Sequence, residues 1–165
     1  MWIKLNKKLK KKICGNIIVL IGFPGSGKTT LGNKLKIIFK ENKIETIHLD
    51  GDEIRKVLTE FKTDKSSRKR LTFIYLRLAL LLSNKKNVII LSTVSLNKSL
   101  DKMKKKNINT FLIESDFKLI DKKKKKIRYD FLLKKNIYFP KKIDAIIRNK
   151  YLKKSCSEII NYFNY

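Results

Sequence analysis

Apolar residues gather along this chain in five short runs: NIIVLIG (16–22), ETIHLD (45–50), NVIILST (87–93), NTFLIES (109–115) and DAIIRN (144–149). Few charges fall inside them, and β-branched residues dominate, so they predict buried strands. The segments between them, Lys28–Glu41, Glu53–Thr59, Ser66–Leu82, Ser99–Lys106 and Phe117–Lys135, have helical length and mostly helical spacing of apolar residues. Ser155–Tyr162 continues that pattern after the last run. In Leu71–Leu82 the apolar side is broad, which predicts a helix covered by the sheet over much of its surface. Strands alternating with helices in this way predict an α/β fold, a five-stranded parallel sheet with helices on both faces in three α/β/α layers.

The 165 residues suit one domain, long enough to bury a core without disulfides or metal staples. It is expected to occupy 16–165, behind a basic N-terminal extension over 1–15. Basic residues followed by an apolar stretch imitate a secretory signal, but no small-residue cleavage site follows. No apolar run reaches the roughly 18 residues needed to cross a bilayer, so a soluble protein with no membrane partner is expected. Cys14 and Cys156 are far apart and make no metal-ligand spacing, which fits a reduced, cytoplasmic chain. A single histidine, His48, argues against a histidine-based zinc site or catalytic triad.

The first strand runs into GFPGSGKT, Gly22 to Thr29, which satisfies G-x-x-x-x-G-K-[ST] at every required position. Gly22, Gly25 and Gly27 let backbone N–H groups turn inward around a phosphate, where side chains would clash. The helix that follows aims its positive end at the same place. Lys28 can reach the β- and γ-phosphates, and Thr29 can give its hydroxyl to Mg²⁺. Phe23, Pro24, Ser26 and Thr30 complete the stretch expected to contact ATP.

HLDGDEIR (48–55) crowds three carboxylates and an arginine into eight positions. Ligands of open α/β sheets bind beyond the carboxyl ends of the strands. Asp50 ends the second strand and is expected beside the end of the first, placed to hold a metal-bound water. Gly51 permits a sharp turn, and Asp52 stands at a helix start, where the dipole favours a carboxylate. Asp52 is either an N-cap, a residue that receives a hydroxyl proton, or both. Arg55 lies on the same helical face and can grip an anionic acceptor.

GFPGSGKTTLGNKL, HLDGDEIR and VIILSTVSL (88–96) together resemble the adenylyl-sulfate kinase family, P-loop kinases that phosphorylate the 3′-hydroxyl of adenylyl sulfate. The likeness covers most of the chain, strongest from about Ile17 to Ser95, and DGD-x-x-R is far more specific than the phosphate loop. It implies a P-loop NTPase fold with a helical lid over about 117–140, ATP and Mg²⁺ as cofactors, and sulfate activation as the reaction. It also brings a small nucleotide as substrate and, by weak analogy, a homodimer. The family's second arginine is followed 27 residues later by a serine, the separation of Arg68 and Ser95 here. By resemblance, Asp50 helps organise Mg²⁺, Asp52 orients or deprotonates the acceptor hydroxyl, and Arg55 and Arg68 hold its anionic group. Val94 and Ser95 then contact substrate. Ser95 falls where the family has a serine regarded as a phosphoserine intermediate. Direct in-line transfer, with Ser95 as a hydrogen-bonding contact, fits the chemistry better. On the residues alone, Ser95 is as well explained as a strand-end hydroxyl.

Three positions depart from the family. Leu71 stands where an asparagine usually follows the second arginine, the connection from Arg55 to Arg68 is one residue short, and IDKKKKKIRYD (120–130) lacks the family's Gly-Leu-Tyr. In IYFPKKIDAIIRN (137–149) the likeness returns, with Phe139 either a base-stacking residue or a core aromatic beside Pro140. Related kinases acting on cytidine diphosphoramidate are the alternative these changes leave open. Charge adds one more class: 41 Lys+Arg against 14 Asp+Glu, a net +27, predict nonspecific affinity for polyanions and admit a basic polynucleotide kinase. The abundance of Lys with Ile and Asn also fits compositional drift and a solvated surface.

Overall fold

The computed structural model describes residues 3–59, 64–94, 107–115, 140 and 143–164. Its elements are α1 (Lys7–Ile13), β1 (Ile17–Ile21), α2 (Lys28–Glu41), β2 (Glu45–Asp50), α3 (Gly51–Val57), α4 (Lys65–Leu82), β3 (Asn87–Thr93), β4 (Ile108–Glu114), β5 (Ala145–Arg148) and α5 (Leu152–Tyr162). All five expected strands form, and α2 spans the expected residues. The helices expected over 99–106 and 117–135, and the lid apart from Pro140, lie outside the described residues. Among the described residues no helix is long and apolar enough to cross a membrane.

The strands form one parallel sheet in the order β2-β3-β1-β4-β5. This corrects one expectation. Asp50 does not sit beside the end of β1, because β3 lies between β1 and β2. A β1–α2–β2 crossover that skips one strand leaves a slot, and β3 fills it with a fully buried run.

Side chains of β1 alternate between the two faces. Ile18 and Leu20 point into a core shared with α1, α2 and α5, where Leu35, Phe39, Phe111 and Ile159 are buried. Ile17, Val19 and Ile21 point into a second core with Leu71, Tyr75, Leu76 and Ala79 of α4. The sheet is thus the middle of three layers. Burying apolar surface on both faces at roughly 25 cal/mol per Å² is the main force holding them.

Residues near the N-terminus belong to this packing, although composition alone sets 1–15 apart as a basic extension. α1 turns Leu9 and Ile13 inward, and Leu5 precedes them into the same core. The Asn6 side chain caps the helix by accepting from Leu9 N at 2.8 Å. Buried Asn42 holds the preceding strand-like segment, accepting from Leu5 N at 2.8 Å and donating to the Ile3 carbonyl at 2.8 Å. The lysines mask an i, i+4, i+8 apolar stripe, which is why the run reads as a tail.

His48 ties the layers together behind the strand ends. Nδ1 lies 2.8 Å from Asn33 Oδ1 on α2, and Nε2 lies 2.8 Å from Ser92 Oγ on β3. Those partners suit a neutral ring that donates from Nδ1 and accepts the Ser92 hydroxyl at Nε2. Burial holds its pKa below the usual 6.5, with Asp50 opposing and Lys36 reinforcing the shift. The unfolded chain therefore binds this proton more readily than the folded one. Stability from His48 is present above about pH 6.5 and is lost as pH falls through that value toward the lower folded pKa. Urea midpoints should fall between about pH 7.5 and 5.5, and His48→Asn should flatten that slope. An unchanged slope in the variant would assign the loss to carboxylates instead.

Candidate functional site

Gly27 precedes α2 with φ 87° and, having no side chain, gives the helix no side-chain cap. Lys28 is nearly buried, and its Nζ donates to the Phe23 carbonyl at 2.9 Å and to Ser26 Oγ at 3.4 Å. The ammonium is thus held inside the loop that it closes. Ser26 is buried beneath it, and Gly22 lies against the Ile113 carbonyl of β4.

Across the β3 end, the Thr29 hydroxyl donates to Asp50 Oδ2 at 2.7 Å. The other oxygen of Asp50 accepts from Asp52 N at 2.9 Å. Asp50, rather than Asp52, is therefore the N-cap of α3, and the helix begins two residues earlier than expected, at Gly51. Asp52 enters the first turn with its side chain exposed, free of any capping duty there. Gly51 is wedged into place. An added Cβ would stand 3.1 Å from the Ser92 carbonyl and 3.3 Å from the Tyr75 ring.

One cleft of about 470 Å³ collects these groups. Pro24, Gly25, Gly27, Lys28, Thr29 and Thr30 line one side of it. Asp50, Asp52, Arg55, Arg68 and Val94 line the rest, together with Gly51, Leu71, Thr72, Tyr75, Ser92 and Thr93. Of the remaining residues expected at a site, Gly22, Phe23 and Ser26 belong to the loop but do not line the cleft, and Ser95 and Phe139 lie outside the described residues.

Tyr75 was not legible as a site residue, although Arg68, Leu71, Thr72 and Tyr75 follow a helical i, i+3, i+4, i+7 progression that puts them on one face. Its buried hydroxyl donates to the Gly51 carbonyl at 3.0 Å. Burial pushes its pKa up to about 12, with Arg55 and Arg68 pulling down and Asp52 and Asp50 pushing up. The phenol stays protonated, and stays a donor, at any working pH. Burial also lowers the Arg68 pKa, and the positive charge of Arg55 lowers it further. Both guanidinium groups line the cleft, so this wall carries positive charge.

The chemistry available here is therefore a phosphate cradle, a pair of oxygen donors from Thr29 and Asp50, an exposed carboxylate and two arginines around one cleft. Among the described residues no cluster of three or more His, Cys, Asp or Glu is arranged to cage a metal.

Comparison with known proteins bears on this site. Residues 14–126 match the sequence model of the family described as adenylylsulphate kinase. A cytidine diphosphoramidate kinase of Campylobacter jejuni subsp. jejuni serotype O:2 is 35% identical over 80 residues, 48% of this chain and 47% of that protein. The matched region thus spans about half the length of that relative. The crystal structure of APE1195 superimposes with TM-score 0.73 at 21% identity, covering 92% of this chain and 96% of that one. The Mycobacterium tuberculosis APS kinase CysC, solved in complex with AMPPNP and APS, gives TM-score 0.66 at 16% identity over 92% and 99% of the two chains. At such identities the two structures speak to fold, the P-loop kinase fold. The family match covers well over half of the sequence and includes the phosphate loop, the DGD turn and both arginines, so this chain belongs to the adenylylsulphate kinase family.

Proposed function

We propose that this protein transfers the γ-phosphate of ATP to a ribose hydroxyl of a small anionic nucleotide. The observation that carries this reading is the cleft, where Asp52 and the Arg55–Arg68 wall share one space with the phosphate loop. The loop amides and Lys28 hold the phosphates and offset charge on the transferred group. Thr29 and Asp50 are hard oxygen donors already 2.7 Å apart, a pair suited to Mg²⁺, which keeps most of its shell as water and phosphate. When bound, that ion supplies charge neutralisation at the phosphates. Asp52 orients the acceptor hydroxyl and takes its proton as the new O–P bond forms and the bond to ADP breaks. Arg55 and Arg68 fix the acceptor's anionic end, so the hydroxyl meets the γ-phosphate in line. ATP-dependent chemistry on such a nucleotide fits a cytoplasmic setting.

The acceptor proposed is a cytidine diphosphoramidate-like nucleotide. Leu71 is 3% exposed and lines the cleft where adenylyl-sulfate kinases usually offer an asparagine. An apolar residue there removes a polar contact while both arginines remain, and the Campylobacter relative is named for that acceptor. Adenylyl sulfate is the second reading, favoured by the intact DGD-x-x-R element.

Release of ADP from Mg-ATP, measured separately with cytidine diphosphoramidate, adenylyl sulfate and simple nucleosides, tests both. Turnover is expected with the cytidine compound. A preference for adenylyl sulfate would establish the second reading, and no turnover with either would sink the proposed acceptor class.

Asp52→Asn should lower kcat by about 10²-fold or more, the scale of general-base contributions, with little change in ATP affinity. A near-normal rate would leave Asp52 without a role in proton transfer. Tyr75→Phe keeps the ring that packs on Gly51 and loses only its hydrogen bond. It should lower kcat by about 3- to 10-fold through a looser DGD turn, as one lost buried bond predicts. Steady-state kinetics of the folded variant decide it.

A further inference from the structure

Asn149 follows β5 and is distant in sequence from every motif of the site, yet three parts of the fold, β4, the phosphate loop and α5, meet it in four contacts. Its backbone N–H donates to the Glu114 carbonyl at the end of β4, at 2.6 Å. Its side-chain Nδ2 donates to the Ser26 carbonyl of the phosphate loop at 3.0 Å. Its Oδ1 lies 3.1 Å from Ser155 Oγ, on α5. The Ser26 carbonyl fixes the amide's orientation, because only Nδ2 can donate to it, and the Ser155 hydroxyl, shared with the Tyr151 carbonyl at 3.1 Å, donates to the Oδ1 so presented. The fourth contact is steric. A Cβ added at Gly27 would lie 2.3 Å from Asn149 Nδ2, and Gly27 already has φ 87°. The carboxamide therefore fills the space beside the loop where any other residue's side chain would begin.

We infer that Asn149 is a positioning residue for the phosphate loop, and that Ser155 orients it in turn. The Ser26–Gly27 peptide carries the amides that follow the buried Ser26, next to Lys28. In a trans peptide the Gly27 N–H is opposite the Ser26 carbonyl, so holding that carbonyl toward Asn149 turns the N–H of a cleft-lining residue away from Asn149. The brace thus presets a donor before any nucleotide arrives, and ordering costs on binding fall accordingly. The same residue ties the loop to β4, β5 and α5, and those two strands lie on the side of β1 remote from the DGD turn.

This inference rests on the ATP site proposed above, and binding of a nonhydrolysable ATP analogue with Mg²⁺ separates the two. Failure of the wild-type protein to bind the analogue would sink the ATP site itself. With wild-type binding established, Asn149→Ala should raise the analogue's Kd by about tenfold, the effect of one lost hydrogen bond plus a less ordered loop. Its nucleotide-free Tm should stay within about 4 °C of wild type, a shift of roughly 1 kcal/mol or less for a chain of this size. Asn149→Asp keeps the shape but sets an acceptor against the Ser26 carbonyl, and should bind more weakly than the alanine variant. Ser155→Ala should show a smaller loss, and adding it to Asn149→Ala should weaken binding no further. Wild-type Kd in either folded Asn149 variant overturns the inference. So does a Tm drop in Asn149→Ala without a change in Kd, which is what a purely structural residue would give. Should Asn149→Ala fail to fold, the Ser155→Ala and Asn149→Asp affinities decide the matter alone.

Discussion

The register of β3 between β1 and β2 is the constraint on which the cleft depends. Ile21, the last residue of β1, pairs with Thr93, and Asp50, the last residue of β2, pairs with Ser92. Parallel pairing on both sides of one strand therefore brings two separate loops to the same height at the same edge of the sheet. A slip of one residue would turn every side chain of β3 to the other face and move one loop away from the other. The fully buried run of β3 resists that slip, the Ser92–His48 bond fastens β3 to β2, and the Tyr75–Gly51 bond secures the DGD turn.

Within that frame, charge is arranged by what each element can neutralise. Asp50 spends both oxygens on its neighbours, one on Thr29 and one on the α3 amide, so its negative charge is shared by two loops. Asp52 is left exposed in the cleft while Arg55 and Arg68 raise the positive potential beside it.

The sheet was largely legible because each strand is a short continuous apolar run bounded by polar residues. The phosphate loop was legible because its glycines, Lys28 and Thr29 are adjacent in sequence. Reading was poorer where structure depends on residues that meet only after folding. α1 looked like a solvated tail, since six lysines outweighed Leu5, Leu9 and Ile13 in any compositional count. The start of α3 was placed late because both aspartates are good caps, and only the position of the Thr29 hydroxyl turns Asp50 into the one that caps. Tyr75 looked like an ordinary core residue of a helix, and Asn149 like the end of the last strand.

By itself the sequence determined the five strands, the helices that follow β1, precede β3 and follow β5, the phosphate loop and the DGD-x-x-R element, because each is written in neighbouring residues with local physical meaning. Only the tertiary structure decided that β3 intervenes between the two motif-bearing strands, that α4 supplies a wall to the cleft, and that a carboxamide from beyond β5 supports the loop. Those are facts about which distant segments share a strand edge or a few ångströms of space. No local spacing encodes them, since they follow from burying two faces of one sheet at once.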